Sequence, residues 1–137
     1  MTEFSLDSRL EGDTLPVGEL QLSRVLMMND ARYPWVILVP RRPAIREMID
    51  LDLRDRAMLY REIDAVSEAM QRLFKPLKLN VAALGNVVPQ LHVHVIARYE
   101  TDAAWPKPVW GLGERVPYAS DAAASRIAEI SNALGRL

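Results

Sequence analysis

Gly85-Asn86-Val87-Val88-Pro89-Gln90-Leu91-His92-Val93-His94-Val95-Ile96-Ala97-Arg98 is the stretch from which both fold and chemistry are read. It holds His92 and His94, the only histidines in the chain. Aliphatic and β-branched residues dominate from Leu91 to Tyr99, which predicts a strand. Side chains alternate across a strand, so Gln90, His92 and His94 take one face while Leu91, Val93 and Val95 take the other. The aliphatic set suits a core. The opposite face gathers two imidazoles and an amide.

Three readings of that face stand open. The plainest is a half-solvated strand with polar side chains, although adjacent imidazoles repel each other when charged. A second is a metal site, which needs a further ligand; no carboxylate lies on this strand before Glu100, with Asp102 beyond it. The third is nucleophilic catalysis. Neutral imidazole attacks phosphorus when a hydrogen bond to one ring nitrogen leaves the other lone pair free. A second histidine then binds phosphoryl oxygens or passes a proton to the leaving group. Backbone amides around Gly85 to Val88 are placed to meet developing negative charge.

Working outward, Leu20 to Met28 reads as a strand, and Trp35 to Val39 as a buried central strand paired with it across the turn Asn29–Pro34. Thr14–Gly18 reads as a turn, and Phe4, Leu6 and Leu10 as either a short helix or an extended arm. A short amphipathic turn is expected around Ile45, Met48 and Ile49. Leu59, Ile63, Val66, Met70 and Leu73 recur at helical spacing and predict a helix over Asp52–Lys75, with Asp52 as its N-cap and Pro76 as its stop. Leu77 to Leu84 reads as a strand. Ala123, Ile127, Ile130 and Leu134 predict a C-terminal helix, capped by Ser120 or Asp121 and ending near Gly135. Thr101 to Pro117, rich in Pro and Trp, reads as a long loop that forms a wall; Trp105 and Trp110 are either a lid or a cover for the sheet. Runs of strands around one long helix predict an α+β fold on a mainly antiparallel sheet, in a single domain over residues 1–137.

Composition narrows the function classes. The chain has 137 residues and a net charge of −1, from 17 basic and 18 acidic residues. That balance gives no support to a nucleic-acid groove or an anionic membrane surface, which need a basic excess. No apolar run is long enough to span a membrane, and Met1–Asp7 lacks the order of a secretory signal. Cysteine is absent, which excludes disulfides, thiol catalysis and thiolate zinc sites and agrees with a cytoplasmic location.

Gln90-Leu91-His92-Val93-His94-Val95-Ile96-Ala97-Arg98 resembles the signature of the histidine triad superfamily of nucleotide hydrolases and transferases. That signature is His-φ-His-φ-His-φ-φ, here with glutamine for the first histidine. Leu26-Met27-Met28-Asn29-Asp30 and Pro34-Trp35-Val36-Ile37-Leu38-Val39-Pro40-Arg41 are similar to the family's nucleoside-pocket strands. The likeness covers about Leu20 to Arg98, with a tail characteristic of a bacterial branch. It implies a nucleotide hydrolase or transferase that cleaves a P–O or P–N bond at an α-phosphate, in dinucleoside polyphosphates or nucleoside phosphoramidates. The alternative is a nucleotide-binding module without catalysis.

By this resemblance His92 is the nucleophile that forms a nucleotidyl-histidine, and His94 contacts the phosphate. Gln90 then holds the nucleophile's tautomer through its amide, without transferring protons. Asn86 is expected near the scissile phosphate and Asn29 at the ribose hydroxyls. Trp35 stands where many relatives carry another histidine, and either stacks on a base or, the favoured reading, packs in the core. Arg41, Arg42 and Arg98 are either cations near a polyphosphate or solvated surface residues. No cofactor and no metal site are implied, although Mg²⁺ is a natural companion of polyphosphate. The expected partners are a small nucleotide and a second copy of the chain in a homodimer, with no nucleic acid and no membrane.

Overall fold

The computed structural model describes residues 3–135. In chain order its elements are α1 (Ser8–Asp13), β1 (Thr14–Glu19), β2 (Ser23–Met28), β3 (Trp35–Pro40), a 3-10 turn (Met48–Asp50), α2 (Leu53–Phe74), β4 (Lys78–Ala82), β5 (Val93–Arg98) and α3 (Ser120–Leu134). The five strands form one sheet in the order β1-β2-β3-β5-β4, and every neighbouring pair is antiparallel. Every residue of β3 is buried, as its unbroken apolar run requires of a strand covered on both faces.

Burial divides by sheet face. Val25, Met27, Val36, Leu38, Val95 and Ala97 point to one side, where Val66 and Met70 of α2 and Ile130 of α3 close over them. Leu26, Trp35, Ile37 and Ile96 point to the other. Phe4 and Leu6 of the N-terminal arm and Leu10 of α1 pack on it with Ala104, Val109 and Trp110 of the long loop. The histidines project on this second side, because His94 alternates with Val93 and Val95 along β5. At about 1.5–3 kcal/mol for each fully buried large aliphatic side chain, the two layers provide the main drive for holding the strands in this register.

The long helix carries its expected caps. The Asp52 carboxylate accepts from Asp55 N, and Lys75 ends the helix in the left-handed region with φ 45°. Glu62 is buried on α2, yet it is satisfied: its carboxylate accepts Leu22 N at 2.7 Å and Ser23 N at 3.0 Å. This buried acid thus fastens the β1–β2 connection and is fully engaged in that task.

Several boundaries differ from the sequence reading. Thr14–Gly18, expected as a turn, belongs to strand β1. Pro16 and Gly18 misled, but an edge strand tolerates a proline, and the register shift between Pro16 and Gly18 is a bulge that absorbs the irregularity. The strand expected from Leu20 starts at Ser23, after a tight turn closed by Leu20 N to Ser23 O. The regular ladder of β5 begins at Val93, so Leu91 and His92 lie just before it. The N-terminal alternatives are both realised, an arm over residues 3–7 and then α1. The N-cap of α3 is Ala119 rather than Ser120 or Asp121.

Candidate active site

His92 and His94 are buried side by side, with ring centroids 4.8 Å apart and planes at 69°. Each ring has one defined partner. His92 Nδ1 lies 2.7 Å from the main-chain oxygen of Gln90. A carbonyl only accepts, so Nδ1 carries the proton and the Nε2 lone pair of the neutral ring is free. His94 Nδ1 lies 2.9 Å from Trp35 Nε1, whose indole N–H donates to it. Trp110 packs edge-on against His94 at 5.0 Å and against Trp35 at 5.9 Å, so three rings enclose His94. Burial first, and then the neighbouring His92, push the His94 pKa down to about 3.

Open space adjoins His92 directly, and a second cleft lies beyond the rings that enclose His94. His92 lines a cleft of about 450 Å³ together with Arg46, Met48, Ile49, Leu84, Gly85 and Gln90. A second cleft of about 310 Å³ is bordered by Met28, Asp30, Arg32, Trp35 and Trp110. Gly85 has φ 76°, a conformation that L side chains rarely adopt, and it shapes the turn ahead of the histidines.

The other sequence-derived residues fall in different places. The Gln90 side chain does not reach His92. Its Nε2 donates to Ser5 O at 2.8 Å, and its Oε1 accepts Asp7 N at 2.9 Å. A primary amide presents a donor and an acceptor much as a peptide does, so Gln90 pairs with the extended arm as a neighbouring strand would. The tautomer of His92 is held instead by the main chain of the same residue. Asn86 is exposed beside Gly85 and is not among the side chains lining the His92 cleft. Asn29 accepts Tyr118 N at 2.9 Å and so ties the end of β2 to the segment before α3. Trp35 is buried in the core of the second face, with its edge at the smaller cleft.

Arg98 corrects both earlier alternatives, because it is neither solvated nor free for a ligand. Only 2 % of its side chain is exposed. Its guanidinium donates to Asp102 through Nε and Nη2, to Asn80 Oδ1 and to the Lys107 carbonyl. Tyr33 and Trp105 flank it. Asp102, a conceivable third metal ligand by sequence, is thereby directed at Arg98. Arg42 pairs with Asp55, and Arg41 binds Glu19 and the carbonyls of Leu20 and Gln21. Among the described residues no three His, Cys, Asp or Glu side chains are grouped as a metal site.

Sequence reasoning missed Arg46 in the lining of the His92 cleft, and the Asp30–Arg32 pair at the second cleft. Asp30 is buried; desolvation raises its carboxyl, but hydrogen bonds from Arg32 and the Val116 amide outweigh this and hold it below the ordinary value. The only signal in the sequence was the Asp-x-Arg spacing within a turn. Arg46 gave none, since loop geometry alone brings it to the cleft.

The antiparallel α+β sheet carries its two histidines at the start of the inner strand β5, on the face away from the long helix. The HIT domain family matches residues 9–101, and the chain belongs to that family. It is similar to a histidine triad protein from Bradyrhizobium japonicum, at 49 % identity and a TM-score of 0.95, over 97 % of this chain and 99 % of that one. It is also similar to a histidine triad protein from Marinobacter aquaeolei, at 50 % identity and a TM-score of 0.95, over 97 % of both chains. A histidine triad nucleotide-binding protein from Sulfolobus tokodaii shares the fold at 16 % identity and a TM-score of 0.68, over 93 % of this chain and 87 % of that one. No curated protein matches the chain.

Proposed function

We propose that the protein is a nucleotide phosphate hydrolase or transferase in which His92 Nε2 attacks an α-phosphate. The observation that carries this reading is the 2.7 Å contact between His92 Nδ1 and the Gln90 carbonyl, with His92 lining an open cleft. An acceptor on Nδ1 does two things. It sets the lone pair on Nε2 in the free enzyme, and it stabilises the imidazolium character that develops once Nε2 bonds to phosphorus. Arg46 and Gly85 line the same cleft, and the amides of Gly85 to Val88 are the proposed main-chain donors for phosphoryl oxygens. Asn86, exposed beside Gly85, and Asn29 are the proposed contacts for the rest of the nucleotide. Water then resolves the nucleotidyl-histidine.

A panel of dinucleoside polyphosphates and nucleoside phosphoramidates, followed by chromatography of the released mononucleotide, tests this function. Time-dependent mononucleotide release is expected for at least one class. The internal engagement of Gln90, Asn29 and Trp35 favours one second reading, a nucleotide-binding module without turnover. AMP or GMP binding by calorimetry, with no product from any panel member, is the result that selects it.

We also infer a homodimer through β4. Of the two edge strands, β1 is blunted by Pro16 and its bulge, whereas β4 (Lys78–Ala82) has neither. Leu77 and Val81 beside that edge are exposed, as is Tyr60 on the adjacent helix. Light scattering is expected to give twice the 15.5 kDa chain mass. A Val81→Lys substitution is expected to shift the mass towards the monomer, and a monomeric wild type contradicts the assignment.

A further inference from the structure

His94 is held differently from His92, and the difference bears on which bond the site breaks. Indole N–H is a donor only, so at 2.9 Å the Trp35 contact requires an unprotonated Nδ1 on His94. The ring proton therefore sits on Nε2, for which no described residue supplies an acceptor. Making His94 an imidazolium means placing a second proton on Nδ1, facing the Trp35 N–H inside a box of three rings. Burial and the adjacent His92 oppose that charge as well.

We propose that Trp35 locks His94 as a neutral Nε2–H donor that does not act as a general acid, and that the site therefore selects nucleoside polyphosphate anhydrides over nucleoside phosphoramidates. The selection rests on the reading of His92 as nucleophile. In the first half-reaction a bond forms between Nε2 of His92 and the α-phosphorus, and the P–O bond to the leaving phosphate breaks. The electron pair departs on a phosphate oxygen as a stabilised anion, with no proton required. In the second half, a water oxygen bonds to phosphorus and the P–N bond breaks. Its electron pair returns to Nε2, and the water proton passes to solvent.

A phosphoramidate differs at the first step, because an amine leaves only after its nitrogen is protonated. No group placed against the histidine pair performs that transfer. Trp35 and Trp110 carry no acidic proton to give, and the Gln90 amide is bonded to the arm. The charged groups farther out are Glu47, exposed at the mouth of the His92 cleft, and the pairs Asp30–Arg32 and Asp13–Arg115 around the second cleft. None of them touches the His94 ring. Trp35 is thus a positioning residue that sets what His94 donates, and through it the leaving group.

Two measurements on the intact protein test this. Long-range ¹H–¹⁵N spectra of histidine-labelled wild type are expected to show His94 with a protonated Nε2 and an unprotonated Nδ1, unchanged between about pH 5 and 8. In Trp35→Phe this fixed signature is expected to give way to tautomer exchange or a titration, with kcat on an anhydride lowered roughly tenfold and KM changed less than about twofold. The second measurement compares a dinucleoside polyphosphate with an alkyl phosphoramidate of the same nucleoside. A kcat/KM ratio of at least about 100 in favour of the anhydride is expected, the size of one general acid's contribution. A His94 that titrates in wild type, or carries its proton on Nδ1, overturns the lock whatever the turnover. Equal cleavage of both substrates overturns the selection while leaving His92 as nucleophile. No turnover of either overturns the selection together with the proposed function, and the spectra still judge the lock.

Discussion

His92→Ala is expected to lower turnover by at least about 10⁴-fold while leaving the protein folded. The size follows from the covalent route. Without Nε2 there is no bond to phosphorus, and His94, bound through Nδ1 to Trp35, is not arranged to take over. The fold tolerates the change because His92 lies just before the regular ladder of β5 and outside the apolar clusters on which the sheet rests. A stability loss of about 1–2 kcal/mol is expected, from the removed packing and the lost bond to the Gln90 carbonyl. Paired steady-state kinetics and denaturation curves check both halves. Residual activity within tenfold of wild type contradicts the role of His92.

Arg98→Met is expected to have the largest effect on stability, about 3–5 kcal/mol, by leaving Asp102 as a buried carboxylate without its cation. In the intact protein, desolvation raises the Asp102 carboxyl. Hydrogen bonds from Arg98, Tyr99 N and Trp105 N, with the Arg98 charge, outweigh it and hold the pKa at about 2. A depressed carboxylate pKa contributes stability that is complete above the unfolded value, near 4, and is lost as pH falls through about 2. Removing the guanidinium leaves desolvation to act with less opposition, so the Asp102 pKa rises and acid unfolding moves to higher pH. Denaturant midpoints measured from pH 2 to 7 read both effects. The same change is expected to loosen the site, since Asp102 also accepts the amides of Tyr99, Ala104 and Trp105 at the start of the loop that brings Trp110 to His94. An Arg98→Met variant as stable as wild type at pH 7 contradicts this account.

What the sequence made legible follows from what repeats along it. The helix over Leu53–Phe74 and the inner strands Trp35–Pro40 and Val93–Arg98 were readable because one periodic apolar face, or one unbroken apolar run, admits a single kind of burial. Strand β1 was not readable. Its Pro16 and Gly18 are turn residues in isolation, and only pairing with β2 makes them an edge strand with a bulge. The two histidines were legible through their alternation. Their electronic states were not, since those depend on a carbonyl two residues away and on an indole 59 residues distant. Gln90 was read as an amide facing His92 because the residues of the N-terminal arm carried no sign that they lie against it. Neither sequence alternative for Arg98, a cation near a polyphosphate or a solvated surface residue, holds, because Asn80, Asp102 and the Lys107 carbonyl converge on it only in three dimensions.

The central claim is that Nε2 of His92 takes the nucleotidyl group, and mass spectrometry of acid-labile adducts tests it most directly. Protein mixed with a dinucleoside polyphosphate, quenched in base within seconds and digested at high pH, is expected to carry one nucleoside monophosphate on the peptide containing His92. Fragmentation is expected to place it on His92 and not on His94. Turnover without an adduct at any quench time, or with the adduct on His94, contradicts the account.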